Sequence, residues 1–520
     1  MSKNTTKIIG FGAIALATII TVVALNITHT GNGSDKIEGT ITTDNGDLKI
    51  NWGRYPTYDI ELADTYTITS SGTYHLAGTI TDGAVIVNAD AEAKVRIILD
   101  NVTIKNTSGP AIACYNADDL VIELIGENSL SDGDSYFADY DEDVTGAIYS
   151  KSDLTFQGDG TLNLTASYQD GIVAKDDLKF NSGTYIIDAV DDGIRGKDSV
   201  YIVDGNFTIR ASGDTIKSTN ETTSGKGFVL IEKGTFALNS GAKGIKAINS
   251  ILIYSGDFNI TSIDDTIHSN NYVGIMDGNF TLNSNDDGMH ADKELIIDGG
   301  NIKIAKSYEG IEAQAITING GDISVTSSDD GLNAGGGADS SATNRQGAGA
   351  FDVDTSCILA INGGNLYVNA GGDGVDSNGY LYFNGGTVIV DGPTNNGNGA
   401  LDAGAGIVQN GGTVIAVGAS GMAETLGSSS SVYNVSIYFT STNAAGTTVT
   451  IKNSAGEAII SHTSAKTFNH MSVGTPNFKQ GETYTVYING NEYQSFTVSS
   501  TTTTVGNSNG NRSGGMMQRR

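Results

Sequence analysis

The sequence predicts an all-β chain: a parallel β-helix with about 22 residues per coil, followed by a small antiparallel β-sandwich. Three observations predict it. A turn motif with one or two acidic residues recurs at nearly constant spacing. Short stretches between the turns alternate apolar and polar residues, so each strand has one buried face. Glycine is abundant at 69 and proline scarce at 4 in 520 residues, as many tight turns between short strands require.

The period is read on the residue after the last acid of each turn. It falls at Gly171, Gly193, Thr215, Gly244, Thr266, Gly288, Gly310 and Gly331. The preceding residue is acidic at all of these except Gly244, where it is Lys243. Gly374 continues the series after an insertion. The coil Lys306–Ser327 divides into strands GIEA, AITIN and DISVTS, with a Gly-Gly corner between the second and third. Such corners need φ > 0. One coil cannot bury its own apolar face, but stacked coils build a continuous core. Propeller repeats are longer, and the leucine-rich signature is absent.

The elements follow in order. Residues 1–30 combine Lys3 and Lys7 with a low-polarity run from Ile8 to Leu25. This is a secretory signal or an N-terminal membrane anchor, and it predicts an exported protein that is secreted or held at the cell surface. Residues 31–56 form a linker. Residues 57–420 form the β-helix, in which Thr73–Gly133 supplies the first coils and cap. Asp132–Asp143 and Gly335–Gln346 are inserted loops. Residues 430–500 show hairpin-type alternation, with Asn489–Gly490 as one turn. Residues 501–520 form a disordered tail. Cys114 and Cys357 stand far apart in the array, so they read as small core hydrophobes.

The formal charge is −30, with 59 acids against 29 bases. That argues against nucleic acid as a partner. Stacking turns the acidic doublets into a column. One position holds Asp170, Asp192, Asp214, Asp265, Asp287, Glu309, Asp330 and Asp373, and the position before it Asp191, Asp264, Asp286 and Asp329. Carboxylates one coil apart repel by about 3 kcal/mol at an effective dielectric of 20. A divalent cation reverses that sign, and calcium accepts mixed carboxylate and carbonyl oxygens. The predicted calcium ligands are therefore Asp170, Asp191, Asp192, Asp214, Asp264, Asp265, Asp286, Asp287, Glu309, Asp329, Asp330 and Asp373. The doublets at 264–265 and 286–287 are the strongest, and exposed glycine corners would add carbonyls. The competing reading is a set of Asx-type turns.

Two other calcium signals fail. Gly371–Asp376, GGDGVD, starts like a calcium-binding nonapeptide, but no nine-residue period follows. Asp139, Asp141 and Asp143 start like an EF-hand loop, but Val144 stands where glycine is needed. Glycosidase chemistry needs one distinguished acid pair, and equivalent doublets single none out. A lyase would need a base, for which Arg195, Lys217, Lys243 and Lys246 lie near the column, although they serve equally as charge balance. His268 and His290 fall one coil apart and read as a stacked surface pair more readily than as a transition-metal site. Trp52 lies outside the main repeats, and Tyr367, Tyr380 and Tyr382 cluster in the late coils.

The run YHLAGTITDGAVIVNADAEAKVRIILDNVTI, then GPAIACYNADDLVIEL, AIYSKSDLTFQGDGTLNLTA and SYEGIEAQAITINGGDISVTSSDDGLNA, resembles the carbohydrate-binding domain family of bacterial exported proteins. The resemblance covers roughly Ile60–Gly418. It implies a right-handed parallel β-helix related to polysaccharide lyase family nine, calcium as cofactor, and a polysaccharide partner such as cellulose or pectic acid. It places acidic turns at Asp191, Asp192, Asp264, Asp265, Asp286, Asp287, Asp329 and Asp330. The third residue after the doublet is Arg195, His268, His290 or Asn333 rather than an acid, which favours binding over a pectate-type lyase. A structural cell-surface or adhesion solenoid is the remaining alternative.

Overall fold

The computed structural model describes residues 22–24, 40–42, 50–137, 143–335 and 353–507. Val22–Ala24 pairs antiparallel with Thr40–Thr42 within a separate unit, Met1–Asn51. The rest of the expected signal or anchor segment lies outside the described residues, as do most of the Gly335–Gln346 loop, residues 138–142 and the tail beyond 507. No helix among the described residues is long and apolar enough to cross a membrane.

The unit from Trp52 onward is nearly all β, with 1% helix, and forms a β-solenoid of about 14 turns with about 23 residues per turn. Each regular coil carries three short strands. In one coil these are Asp170–Ala174, Asp177–Phe180 and Thr184–Ala189. Each pairs in parallel with its counterparts in the coils before and after. The coil at Lys306–Ser327 keeps its third strand at Asp322–Ser327, while its first two strands merge into Ile311–Ile318. The registers place Ile172, Ile194, Ile216, Ile245, Ile267, Met289, Ile311, Leu332, Val375 and Leu401 in one column. All belong to one continuous core. Burying each such side chain contributes roughly 1.5–3 kcal/mol.

The third strands show how alternation sets the core. Asn206–Ala211, Thr235–Ser240 and Asp257–Ser262 each expose every other residue and bury the rest. Phe207, Phe236, Phe258 and Phe280 face inward and stack at centroid spacings of 5.1, 4.5 and 4.6 Å, nearly parallel. The glycine at the preceding corner is required by this stack. Gly256 has φ 134°, and a Cβ there would lie 2.9 Å from the Phe258 ring.

The period ends at Thr413–Gly418. That strand pairs antiparallel with Phe468–Gly474, which pairs antiparallel with Asn434–Asn443. Asn434–Asn443 then pairs parallel with Thr502–Val505. Thr448–Lys452, Ala458–Thr463, Thr483–Ile488 and Asn491–Thr497 form a separate four-stranded antiparallel sheet. A second core joins the two layers, with Ile415 and Val417 of the last solenoid strand packed against residues such as Val473, Val486 and Phe496. The strand pairing thus isolates no free-standing sandwich, because one layer continues the solenoid's own sheet.

Candidate functional site

The acidic turns align as their spacing predicts. The amides of Gly193, Gly244 and Gly288 donate to the carbonyls of Asp214, Asp265 and Glu309 in the following coil, at 2.9, 2.9 and 3.0 Å. The column therefore runs along the solenoid where the third strand turns into the first.

Its environment differs from the expectation of exposed corners. Asp170 and Glu309 are fully buried, and Asp192, Asp214, Asp265 and Asp287 nearly so. Asp191 is exposed, whereas Asp264, Asp286, Asp329, Asp330 and Asp373 are half-buried. The corner glycines are buried too, and the carbonyls of Gly193, Gly244 and Gly310 are taken by amides of the preceding coil.

The buried acids serve the backbone. One oxygen of Asp170, Asp192, Asp214, Asp265, Asp287 and the half-buried Asp330 reaches the amide of its counterpart a coil later. Asp170 accepts from Asp192 at 3.1 Å, Asp192 from Asp214 at 2.9 Å, Asp214 from Lys243 at 2.9 Å and Asp265 from Asp287 at 2.9 Å. Asp287 accepts from Glu309 at 3.3 Å and Asp330 from Asp373 at 2.6 Å. This is the Asx-type role carried from coil to coil, and it explains why an acid with a short side chain recurs there.

The other oxygens meet cations in the first half of the column. Asp170 pairs with Arg195 at 2.8 Å. Asp192 and Asp214 share Lys217 at 3.1 and 2.9 Å. Asp264 and Asp265 share Lys243, both at 2.7 Å, and Asp265 also meets His268 Nδ1 at 2.8 Å. Burial raises the Asp170 and Asp192 carboxyls, with Arg195 and Lys217 opposing. Asp265 goes the other way: burial would raise it, but His268 and Lys243 hold it well below the usual carboxylate range. Burial would also lower Lys217 and Lys243, yet the adjoining aspartates raise both.

His268 and His290 stack with centroids 4.8 Å apart and planes 9° apart. They are buried rather than on the surface, at 3% and 1% exposure. His290 Nδ1 lies 3.2 Å from Asp287 and 3.0 Å from Glu312, and its Nε2 lies 3.2 Å from Asp292. Burial would depress His290, but these three carboxylates push it up to about 12. Asp287 is raised well above its ordinary value by burial and by the charges of Asp265 and Glu312.

In the late coils the cations stop. The position two residues after the aligned one reads Arg195, Lys217, Lys246, His268, His290, Glu312, Asn333, Asp376 and Asp402 in register. Burial and the neighbouring aspartates 330, 373 and 402 raise Asp376 well above the ordinary range. Asp373 is pushed up to about 6 by burial first and then by Asp402 and Asp329. Asn333 is buried and donates from Nδ2 to Glu309 at 2.9 Å, and among the described residues its Oδ1 has no hydrogen-bond partner. Spacing places Asp376 at this position, although it is not among the predicted ligands, and spacing alone misses Asp402. Gly372 breaks the doublet in front of Asp373, and Gly399 replaces the acid before Asp402, but the recurring second residue after the aligned position carried the signal.

The late tyrosines divide. Tyr367 gives its hydroxyl to Asp391 at 2.9 Å, while Tyr380 and Tyr382 stack at 5.7 Å on one solenoid strand, Tyr380–Phe383. Arg96 lies 5.2 Å from the centre of the Trp52 ring.

The family model for carbohydrate-binding domain-containing proteins matches residues 63–331 and 249–356, together more than half of the chain. A protein of that description from Acetivibrio thermocellus is 30% identical over 187 residues, which is 34% of this chain and 64% of that relative. A solved structure described as the polysaccharide lyase-like protein from C. thermocellum, a gadolinium derivative, is 28% identical and superposes with a TM-score of 0.39 over 46% of this chain and 96% of its own. The matched residues hold the repeating coils and most of the carboxylate column, and by that match the chain belongs to the carbohydrate-binding domain-containing protein family.

Proposed function

We propose that this chain is an exported, calcium-binding protein that binds polysaccharide at the cell surface, with cellulose or pectic glycans as its targets. Membership of a carbohydrate-binding family is the observation that carries the glycan reading. The apolar run after Lys3 and Lys7 supports export.

Calcium is proposed at the late coils rather than along the whole column. Asp330, Asp373, Asp376 and Asp402 combine repelling, partly desolvated carboxylates with the Asn333 Oδ1, which has no hydrogen-bond partner among the described residues. Calcium takes such mixed oxygen sets at flexible geometry. The doublets at 264–265 and 286–287 are weaker candidates, because Lys243, His268 and His290 already supply charge there.

Binding is preferred to lyase chemistry on the state of three of the four candidate cations. A basic catalyst must give up its proton near neutral pH. Arg195, Lys217 and Lys243 are tied to buried carboxylates, and the shifts of the two lysines keep them protonated.

Sedimentation with insoluble cellulose and with calcium pectate, with and without EDTA, tests the proposal. Retention on either glycan is the expected result, and passage through both would overturn it. Ultraviolet-absorbing unsaturated uronate released from pectate would instead establish the lyase.

A further inference from the structure

We propose that Asp287, His290 and Glu312 form a binding site for a divalent transition ion of the zinc, cobalt or nickel class, separate from the late-coil calcium site and independent of glycan binding. The observation is a convergence of three ligand atoms inside the protein. His290 Nδ1 lies 3.2 Å from Asp287 Oδ2 and 3.0 Å from Glu312 Oε2. All three side chains are buried, and their ligand atoms lie within 4.8 Å of one another. Metal bonds of ~2.1 Å set neighbouring ligands about 3 Å apart, so an ion fits with little movement.

The charge balance points the same way. In preceding coils each buried acid meets Arg195, Lys217 or Lys243. The imidazole of His290 meets three carboxylates, those of Asp287, Asp292 and Glu312. One proton on Nδ1 serves two carboxylates, and an ion at that place replaces the proton: the divalent ion binds, and one proton leaves to solvent. Asp292 at Nε2 then orients the ring as the second carboxylate of a carboxylate–histidine–metal arrangement.

The donor set selects the ion. An imidazole nitrogen suits zinc, cobalt or nickel, whereas calcium prefers an all-oxygen shell. His268 is not the partner ligand, although it stacks on His290. Parallel rings 9° apart direct their in-plane lone pairs side by side, so they do not converge on one ion. The Nδ1 of His268 is also engaged by Asp265, which Lys243 already neutralises.

The test uses the full chain freed of metal with chelator and then titrated with cobalt(II) alone. The expected result is one equivalent bound at micromolar concentration, a visible d–d spectrum of a nitrogen- and oxygen-ligated ion, release of about one proton, and no displacement by millimolar calcium. H290Q is expected to abolish the spectrum and E312Q to weaken binding at least tenfold, while D402N leaves it intact. E312Q provides a second reading should H290Q fail to fold by circular dichroism. Absence of a cobalt spectrum in the wild-type chain, displacement by calcium, or wild-type binding by folded E312Q would overturn the proposal.

Discussion

The two ends of the carboxylate column share one backbone plan and opposite electrostatics. From Asp170 to Asp265, each acid holds the next coil's amide with one oxygen and a cation with the other. From Asp330 to Asp402, the amide bond persists at Asp330, but acids replace the cations at the neighbouring position. The first end is complete as folded. The second carries carboxyls raised by burial and by one another, and it is there that the proposed calcium ion would supply the missing positive charge. A repeat can thus fix geometry while leaving charge free to vary along its length.

Removing a cation from the complete end has the largest expected effect. Lys243→Met leaves Asp265 buried and short of its charge partner. A loss of about 3–5 kcal/mol is expected, measured by denaturant unfolding, with no recovery on adding calcium. Recovery by calcium would erase the distinction between the two ends.

Next in size is the late end. Asp376→Asn is expected to raise the melting temperature of the calcium-free protein by a few degrees at neutral pH and to cancel the gain from calcium. Scanning calorimetry with and without calcium checks both signs.

The pH dependence follows from Asp373. Its folded value of about 6 lies above the ordinary value of 3.8, so between those limits the folded chain holds a proton that the unfolded chain has lost. Stability of the calcium-free protein therefore falls as pH rises through that window, by up to ~3 kcal/mol, and stays lower above it. The proposed calcium ion would bind the ionised form, so its stabilising effect is expected to grow over the same window. A calcium effect equal at pH 4.5 and 7 would refute the assignment.

The smallest effect is expected at Asp264→Asn. Its side chain is 38% exposed, and its partner Lys243 keeps Asp265, so the loss should stay below about 1 kcal/mol by chemical denaturation.

The coil register was legible because strands of fixed period force equivalent residues into columns, and Gly171 to Gly374 marked that period. The cores at Ile172–Leu401 and Phe207–Phe280 follow from alternation. Burial of the acids was not legible. Alternation describes strands, whereas Asp192 and Asp265 occupy a turn whose depth depends on the coil above it. Nor could spacing show that Lys243 reaches both Asp264 and Asp265, since that contact is set by rotamer and not by register. Asp402 escaped because the insertion before Gly399 stretches the period.

The antiparallel seam between Thr413–Gly418 and Phe468–Gly474 has a consequence for growth. A stack of parallel coils is a one-chain filament, and its last strand would offer unpaired amides and carbonyls as a template for another copy. Running the next strand backwards, and laying Ile415 and Val417 under a second layer, ends that template. The C-terminal strands thus act as a terminator for the third-strand column, where the parallel repeat gives way to an antiparallel layer.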